Sequence, residues 1–311
     1  MTRSLQFLPR VVSRPKAPPV KSQGIKTKLV PFILGSIRWD GEGRWIEPFV
    51  GSGAVLLNAA PRRALVSDAN EHLIRVYQAI QCGQIAPESL REFLEREGAF
   101  LSREGERFYY EVRDRFNAKH SPFDFIFLNR ACFNGMIRFN KTGAFNVPFC
   151  RKVDRFSRAY ITKICNQVKW AARQMQGKDW TFLAQDWRET LAAARDGDFV
   201  YVDPPYIGRH TEYFSNWTTD DADQLAETLK QLPTGFAFSM WKRNRYRTND
   251  HLLKHFADYP VITFEHFYHV GPTEALRNAV EEALVFAPGW VADEPWTTSS
   301  KHPTTQVPLP L

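Results

Sequence analysis

The sequence predicts an α/β protein: a mostly parallel sheet with covered faces, an antiparallel hairpin at its end, and an inserted helical domain. Three observations carry this. Strand-like and helix-like segments alternate over residues 44–80 and again from 180 to 259. The alternation stops over 81–178, where helical patterns follow one another. Two apolar runs near the C-terminus, "VITFEHFYHV" and "EEALVFAP", have only a loop between them. Alternation lays crossover helices over parallel strands, whereas a return without a helix makes strands antiparallel.

Taken in order, residues 1–20 are basic and contain Pro15, Pro18 and Pro19, an extended arm by composition. "RWIEPF" (44–49) reads as a strand and "GSGAVLLNAA" as a glycine turn opening a helix. "RALVSD" (63–68) is the second strand. The helix "NEHLIRVYQAIQ" follows it, with Leu73, Ile74, Tyr77 and Ile80 at helical spacing. Residues 21–80 and 179–290 then form one sheet domain and 81–178 the insertion. Within the second part, "WTFLAQD", "DFVYVDPPY" and "GFAFSMW" are strand candidates, with helices "WRETLAAARDG", "DDADQLAETLKQL" and "NDHLLKHFADY" between and after them. Residues 291–311 are a polar, proline-containing tail.

Composition narrows the class. Of 311 residues, 43% are hydrophobic and 14% aromatic, enough for a packed core and unlike a disordered chain. No apolar run approaches the roughly 20 residues that cross a bilayer, and the N-terminus lacks the pattern of a secretory signal. Cys82, Cys132, Cys150 and Cys165 are scattered without a C-x-x-C pair, so a reduced, cytoplasmic protein without structural zinc is expected. The net charge of +7 is uneven: eight Lys/Arg and no acid precede Asp40, and eleven Lys/Arg face only Asp154 between Arg130 and Lys178. Clustered positive charge suits a polyanion track; ordinary solubilising charge is the plainer alternative.

Two strand ends carry chemistry. Gly51 and Gly53 let the backbone turn tightly and approach a ligand, but a third glycine and a P-loop lysine are missing, so no phosphate clamp is supported. Asp68, ending the next strand, can hydrogen-bond ribose hydroxyls or equally cap the helix after it. Together they suit a nucleoside-bearing cofactor such as S-adenosylmethionine. After the strand "FVYV", Asp203-Pro204-Pro205-Tyr206 fixes a carboxylate and the Pro204 carbonyl as preorganised acceptors. Gripping both hydrogens of a ring-bound amine favours a pyramidal nitrogen able to attack an electrophilic methyl. Tyr206 offers a face on which an extruded base can stack; a core tyrosine after a turn is the plainer reading.

These motifs resemble those of DNA adenine methyltransferases of the Dam type, the D12 class. "KSQGIK" is similar to the family's opening motif, "EPFVGSGAV" to its methionine-binding loop, "SDAN" to its ribose acid and "DPPY" to its catalytic motif. "LNRACFNGMIRFNKTGAFNVPF" (128–149) resembles its DNA-recognition signature along its whole length. The resemblance implies a Rossmann-like methyltransferase sheet with an inserted DNA-recognition domain. It implies that Lys26, Glu47, Phe49, Gly51, Gly53, Asp68 and Asp203 hold S-adenosylmethionine, and that Asp186 binds the cofactor's adenine unless it only caps the next helix. Lys21, Arg130, Asn134, Arg138 and Asn140 fall where the family meets duplex DNA. Arg138 is a base reader if it pairs bidentately with guanine, or a phosphate contact otherwise.

The expected activity is site-specific methylation of adenine N6 in duplex DNA, by a monomer of a restriction–modification or Dam-like system with a cognate restriction endonuclease as functional partner. An RNA base or protein glutamine as acceptor, or an inactive DNA-binding relative, are the alternatives. The long recognition signature argues against the first, and the intact Asp203 motif against the second. The stretches "CRKVDRF" and "FSMWKRNRYR" depart from the family pattern, which leaves the target sequence open. His266 and His269, three apart in a strand, fall on opposite faces, and no metal site is expected. Trp290 carries no functional signal.

Overall fold

The computed structural model describes residues 12, 14–206, 217–244, 248–267 and 279–295. Seven strands form one sheet: β1 (Trp45–Glu47), β2 (Arg63–Asp68), β3 (Asp179–Ala184), β4 (Phe199–Val202), β5 (Gly235–Asn244), β6 (Val261–Phe267) and β7 (Ala279–Phe286). Their order is β3-β2-β1-β4-β5-β7-β6. The first five run parallel, while β7 is antiparallel to both β5 and β6. The expected parallel sheet with a hairpin end is therefore what forms, in the arrangement of a Rossmann-like methyltransferase.

The order has a mechanical consequence. From β1 the chain steps outward through β2 to β3, then returns to place β4 on the other side of β1. The connections leaving β1 and β4 diverge, opening a crevice beyond the strands' C-terminal ends. All four residues of β4 are buried, as befits a central parallel strand covered on both faces.

Ten helices accompany the sheet among the described residues. α1 (Val30–Ser36), α2 (Ala54–Ala59) and α3 (Glu71–Gln81) precede the insertion, and α4 (Pro87–Glu104), α5 (Glu106–Lys119), α6 (Pro122–Ala131) and α7 (Arg158–Met175) lie within it. α8 (Trp187–Ala192), α9 (Thr219–Lys230) and α10 (Asp250–Phe256) follow β3, β4 and β5. One apolar core joins Trp45, Phe199 and Tyr201 of the sheet to Leu73 and Tyr77 of α3, and runs on into Leu94, Phe116 and Phe125 of the insertion. Its counterpart on the other face packs Val200, Val202 and Phe238 against Leu191, Leu225 and Phe256. The helices of 81–178 thus continue the sheet's core instead of enclosing a separate one. Burying each such side chain contributes about 1.5–3 kcal/mol.

Several local readings need correction. The first strand ends at Glu47, short of the expected residue 49, because Pro48 has no N–H for the ladder. α1 has no counterpart among the expected elements; its apolar run "VPFILGS" is too short to show a period. Residues 128–149 leave the helical pattern after Ala131 and continue as an irregular loop pinned by the bridges Cys132–Phe149 and Phe139–Phe145. The arm is not loose throughout, since Pro18, Pro19 and Val20 are buried. Trp290 is structural: it packs on Phe199 and covers Gly235, where any Cβ would strike its ring. No helix among the described residues is long and apolar enough to cross a membrane.

Candidate active site

A cleft of about 420 Å3 opens at the switch point between β1 and β4. Lys26, Glu47, Phe49, Gly51, Asp68, Asp186 and the whole Asp203–Tyr206 turn line it. Its two halves are built differently.

The first half is the loop after β1. Gly51 and Gly53 both take left-handed φ, +49° and +68°, a conformation that strains any residue with a Cβ. Gly53 does not line the cleft. It leaves room for Tyr77, whose Oη lies 3.0 Å from where a Cβ would stand, and Tyr77 donates to the Ser52 carbonyl. Asp68 accepts from Gly51 N at 2.9 Å and from Asn70 N at 2.9 Å. The cap of α3 is therefore Asn70, which accepts from His72 N and Leu73 N, and Asp68 is released from the capping role that competed with ligand binding. Burial pushes the Asp68 carboxyl up, against the opposing pull of those two N–H groups. Glu47 is buried beneath the loop, accepts from Trp45 Nε1 at 2.9 Å, and is pushed up to about 8 chiefly by burial.

Around this half stand aromatic walls. Phe49 meets Trp217 edge-on at 5.5 Å and Trp187 at 6.4 Å. Asp186 caps α8 by accepting from Arg188 N at 2.8 Å and also pairs with the Arg188 guanidinium. It lines the cleft as well, so capping and ligand contact are compatible at this residue.

The second half follows β4. Asp203 Oδ1 lies 2.8 Å from Lys26 Nζ. Burial pushes the Asp203 carboxyl up, while the Lys26 ammonium and the Ser239 hydroxyl favour its ionised form. Lys26, expected among the cofactor contacts, is thus seated against Asp203, with its ammonium also 4.9 Å from the centre of the Tyr206 ring. Tyr206 Oη donates to Glu282 Oε2 at 2.7 Å, and Glu282 is buried in β7. Pro204 is buried and Pro205 half-buried. Glu282 is missing from the residues expected from sequence. Its only signal is an acid inside the apolar run "EEALVFAP", 76 positions from the tyrosine it steadies.

The DNA candidates lie outside the cleft's lining. Asn134 sits on an exposed turn with φ +54°. Arg138 is half-buried, donating to Asn146 Oδ1 at 2.8 Å and Asn146 O at 3.0 Å, so its guanidinium is presented rigidly. Its neighbour Ile137 reaches the cleft. Lys21 is anchored through its backbone, which exchanges two hydrogen bonds with the Asn129 side chain. Asn140 is exposed, but its Oδ1 accepts from Thr142 N, Thr142 Oγ1 and Ala144 N and so builds the loop tip. Arg130 does not belong with them. It is 2% exposed and donates to the Pro19 carbonyl and to Gln167 Oε1, fastening the arm to the insertion. Of the eleven basic residues between 130 and 178, Lys141, Arg151, Lys152, Arg158, Lys163, Lys169 and Arg173 are exposed. Of the two strand histidines, His266 pairs in register with Val280, and His269 lies outside the described residues.

Comparison with known proteins agrees with this geometry. Residues 22–270 match the family described as D12 class N6 adenine-specific DNA methyltransferase. The chain is 30% identical over 256 residues to a DNA adenine methylase of Vibrio cholerae, spanning 78% of this chain and 87% of that one. It is 32% identical over 200 residues to a DNA adenine methylase of Serratia marcescens, spanning 60% and 68%. A type II methyltransferase of Lactococcus lactis subsp. cremoris is 28% identical over 284 residues, spanning 86% and 94%.

Proposed function

The chain belongs to the D12 class of N6 adenine-specific DNA methyltransferases, and we propose that its cleft takes S-adenosylmethionine against the β1 loop and an extruded adenine against the Asp203 turn. The observation that carries this is one continuous cleft lined by both. The donor set suits the cofactor: an acid ending β2 for a ribose, a glycine loop that lets a ligand lie on the backbone, and aromatic rings at Phe49 and Trp187 for an adenine plane. When bound, that cofactor supplies a methyl group on a sulfonium, electrophilic enough for direct displacement.

The chain's own residues prepare the nucleophile. Asp203 and the Pro204 carbonyl accept the two amine hydrogens, and the amine takes over part of what Lys26 now gives Asp203. Until then the Lys26 ammonium favours the ionised form of the carboxylate against the opposing effect of burial. Tyr206, fixed by Glu282, supplies the stacking face. Preorganised acceptors in a site shielded from water act more strongly than the same groups in solvent. Extrusion is required because N6 is out of reach inside a duplex.

The exposed basic residues of the insertion supply phosphate contacts, which dominate affinity and make it salt-dependent. Within the recognition loop, Arg138 reads a base while Asn134 and Lys21 flank it. Residues 81–178 then act as the recognition domain although they share the sheet's core.

Incubation with labelled S-adenosylmethionine and duplex DNA tests this reading. Label should enter adenine-containing DNA at N6, and not DNA in which purine replaces adenine. Arg138→Ala should broaden the set of methylated sequences when modified adenines are mapped; uniformly weaker binding with unchanged preference would make Arg138 a phosphate contact. Cleavage of the methylated DNA by restriction enzymes of the mapped site tests for a restriction endonuclease as functional partner.

A further inference from the structure

We propose that the protein carries a second site, for a divalent transition metal of the zinc class, formed by Asp223, His251 and His255 between α9 and α10. The two histidines stand four apart on α10 and so share one face of the helix. That face meets Asp223 on the neighbouring α9. Asp223 Oδ1 lies 2.8 Å from His255 Nε2 and 3.1 Å from His251 Nε2. Bonds of 2.0–2.1 Å to a tetrahedral zinc ion put neighbouring donors about 3.3 Å apart, so both carboxylate–imidazole edges are close to the required length.

The surroundings are those of ligands rather than of a solvated charge cluster. Both imidazoles are 8% exposed. The backbone of Ala222 hydrogen-bonds the His251 ring, yet His251 Nε2, aimed at Asp223, makes no hydrogen bond. Outer groups are in place as well. His255 Nδ1 lies 3.2 Å from Glu227 Oε1, and Lys254 Nζ holds Asp223 Oδ2 at 2.6 Å. A metal-bound histidine commonly passes its other ring N–H to a carboxylate, which fixes the tautomer. Two imidazoles and one carboxylate suit zinc, nickel or copper rather than calcium or magnesium.

The site lies outside the main cleft and abuts the back of the Asp203 turn. His251 lines a small cavity with Pro204, Pro205, Tyr206 and Asn249. An ion fastening α10 to α9 would stiffen the wall behind the catalytic turn.

The test titrates the chelator-treated full-length protein with zinc by calorimetry and with cobalt by visible absorption. One saturable site per chain is expected, with a cobalt spectrum free of the thiolate charge-transfer band that any of the four cysteines would add. His251→Ala and His255→Ala should each weaken binding at least tenfold, and Cys82→Ser should leave it unchanged. Should those histidine variants fail to fold, zinc must still shift the Nε2 resonances of His251 and His255 in the wild-type protein. Absence of saturable binding, a thiolate band, or affinity indifferent to both histidines would overturn the proposal.

Discussion

The two halves of the cleft are held by different means. The β1 loop is secured by neighbours: Asp68 grips Gly51 N, Asn70 closes the turn, and Tyr77 on the next helix grips Ser52. The Asp203 turn relies on distant residues, with Lys26 arriving from before β1 and Glu282 from the last strand. A loop fastened by the adjoining βα unit, β2 and α3, is rigid before any ligand arrives. A turn fastened by charges from two other segments can exchange those partners for substrate. On the proposed assignment, the half for the cofactor needs the first property, and the half for a base from DNA needs the second.

Breaking the catalytic half at its centre has the largest expected effect. Asp203→Ala should lower single-turnover methyl transfer by about 10³-fold, because one preorganised group of this kind is worth roughly 10²–10³ in rate. DNA affinity should stay within a few-fold, since phosphates supply most of it. Near-normal turnover would remove Asp203 from the mechanism.

The cofactor half should break through its backbone. Gly53→Ala places a Cβ 3.0 Å from Tyr77 Oη on a left-handed residue, a strain of about 1–3 kcal/mol. Cofactor affinity should fall with stability, measured together by calorimetry and chemical denaturation. Unchanged values in both would mean that the loop is less constrained than its hydrogen bonds indicate.

Glu282→Gln sharpens the comparison. It keeps the shape and an acceptor for Tyr206 but removes the charge-assisted bond, worth about 1.5–3 kcal/mol against about 1 for a neutral one. A roughly tenfold loss in kcat is expected, with 2-aminopurine fluorescence reporting looser base stacking and cofactor affinity untouched. If cofactor affinity falls instead, the two halves are coupled more tightly than their separate fastenings suggest.

The last test follows a proton. With Glu47 pushed from 4.5 to about 8, the native protein retains a proton that the unfolded chain releases near 4.5. Stability should therefore decline as pH rises from about 4.5 towards 8, and Glu47→Gln should flatten that decline. A cationic cofactor beside Glu47 should expel the proton, so calorimetry at pH 7 in buffers of different ionisation enthalpy should detect release of up to one proton. Equal heats in all buffers would place the cofactor's positive groups elsewhere.

Much of this was legible residue by residue. Gly51, Asp68 and Asp203 each end or follow a strand, and strand–helix alternation alone implies that such ends share one edge of a sheet. The basic stretch from 130 to 178 was equally plain. Arg130 carries the motif's charge but sits in the buried run from Leu128 to Cys132, and its guanidinium is spent on a carbonyl of the arm, a contact that depends on where residues 18–20 dock. Asn140 was drawn towards DNA by its motif, although its oxygen completes a local turn.

Local order along the chain determined the strands, the glycine loop, the proline-fixed turn and the chemistry these can perform, because dihedral preferences and apolar periodicity act over a few residues. Only the tertiary structure decided that Lys26 pairs with Asp203, that Glu282 steadies Tyr206, and that Asp223 meets two histidines. Those contacts join residues 76 or more positions apart in the first two cases, and helices from different crossovers in the third. Long-range ion pairs and hydrogen bonds of this kind leave no period in the sequence, since their geometry exists only after the sheet has assembled.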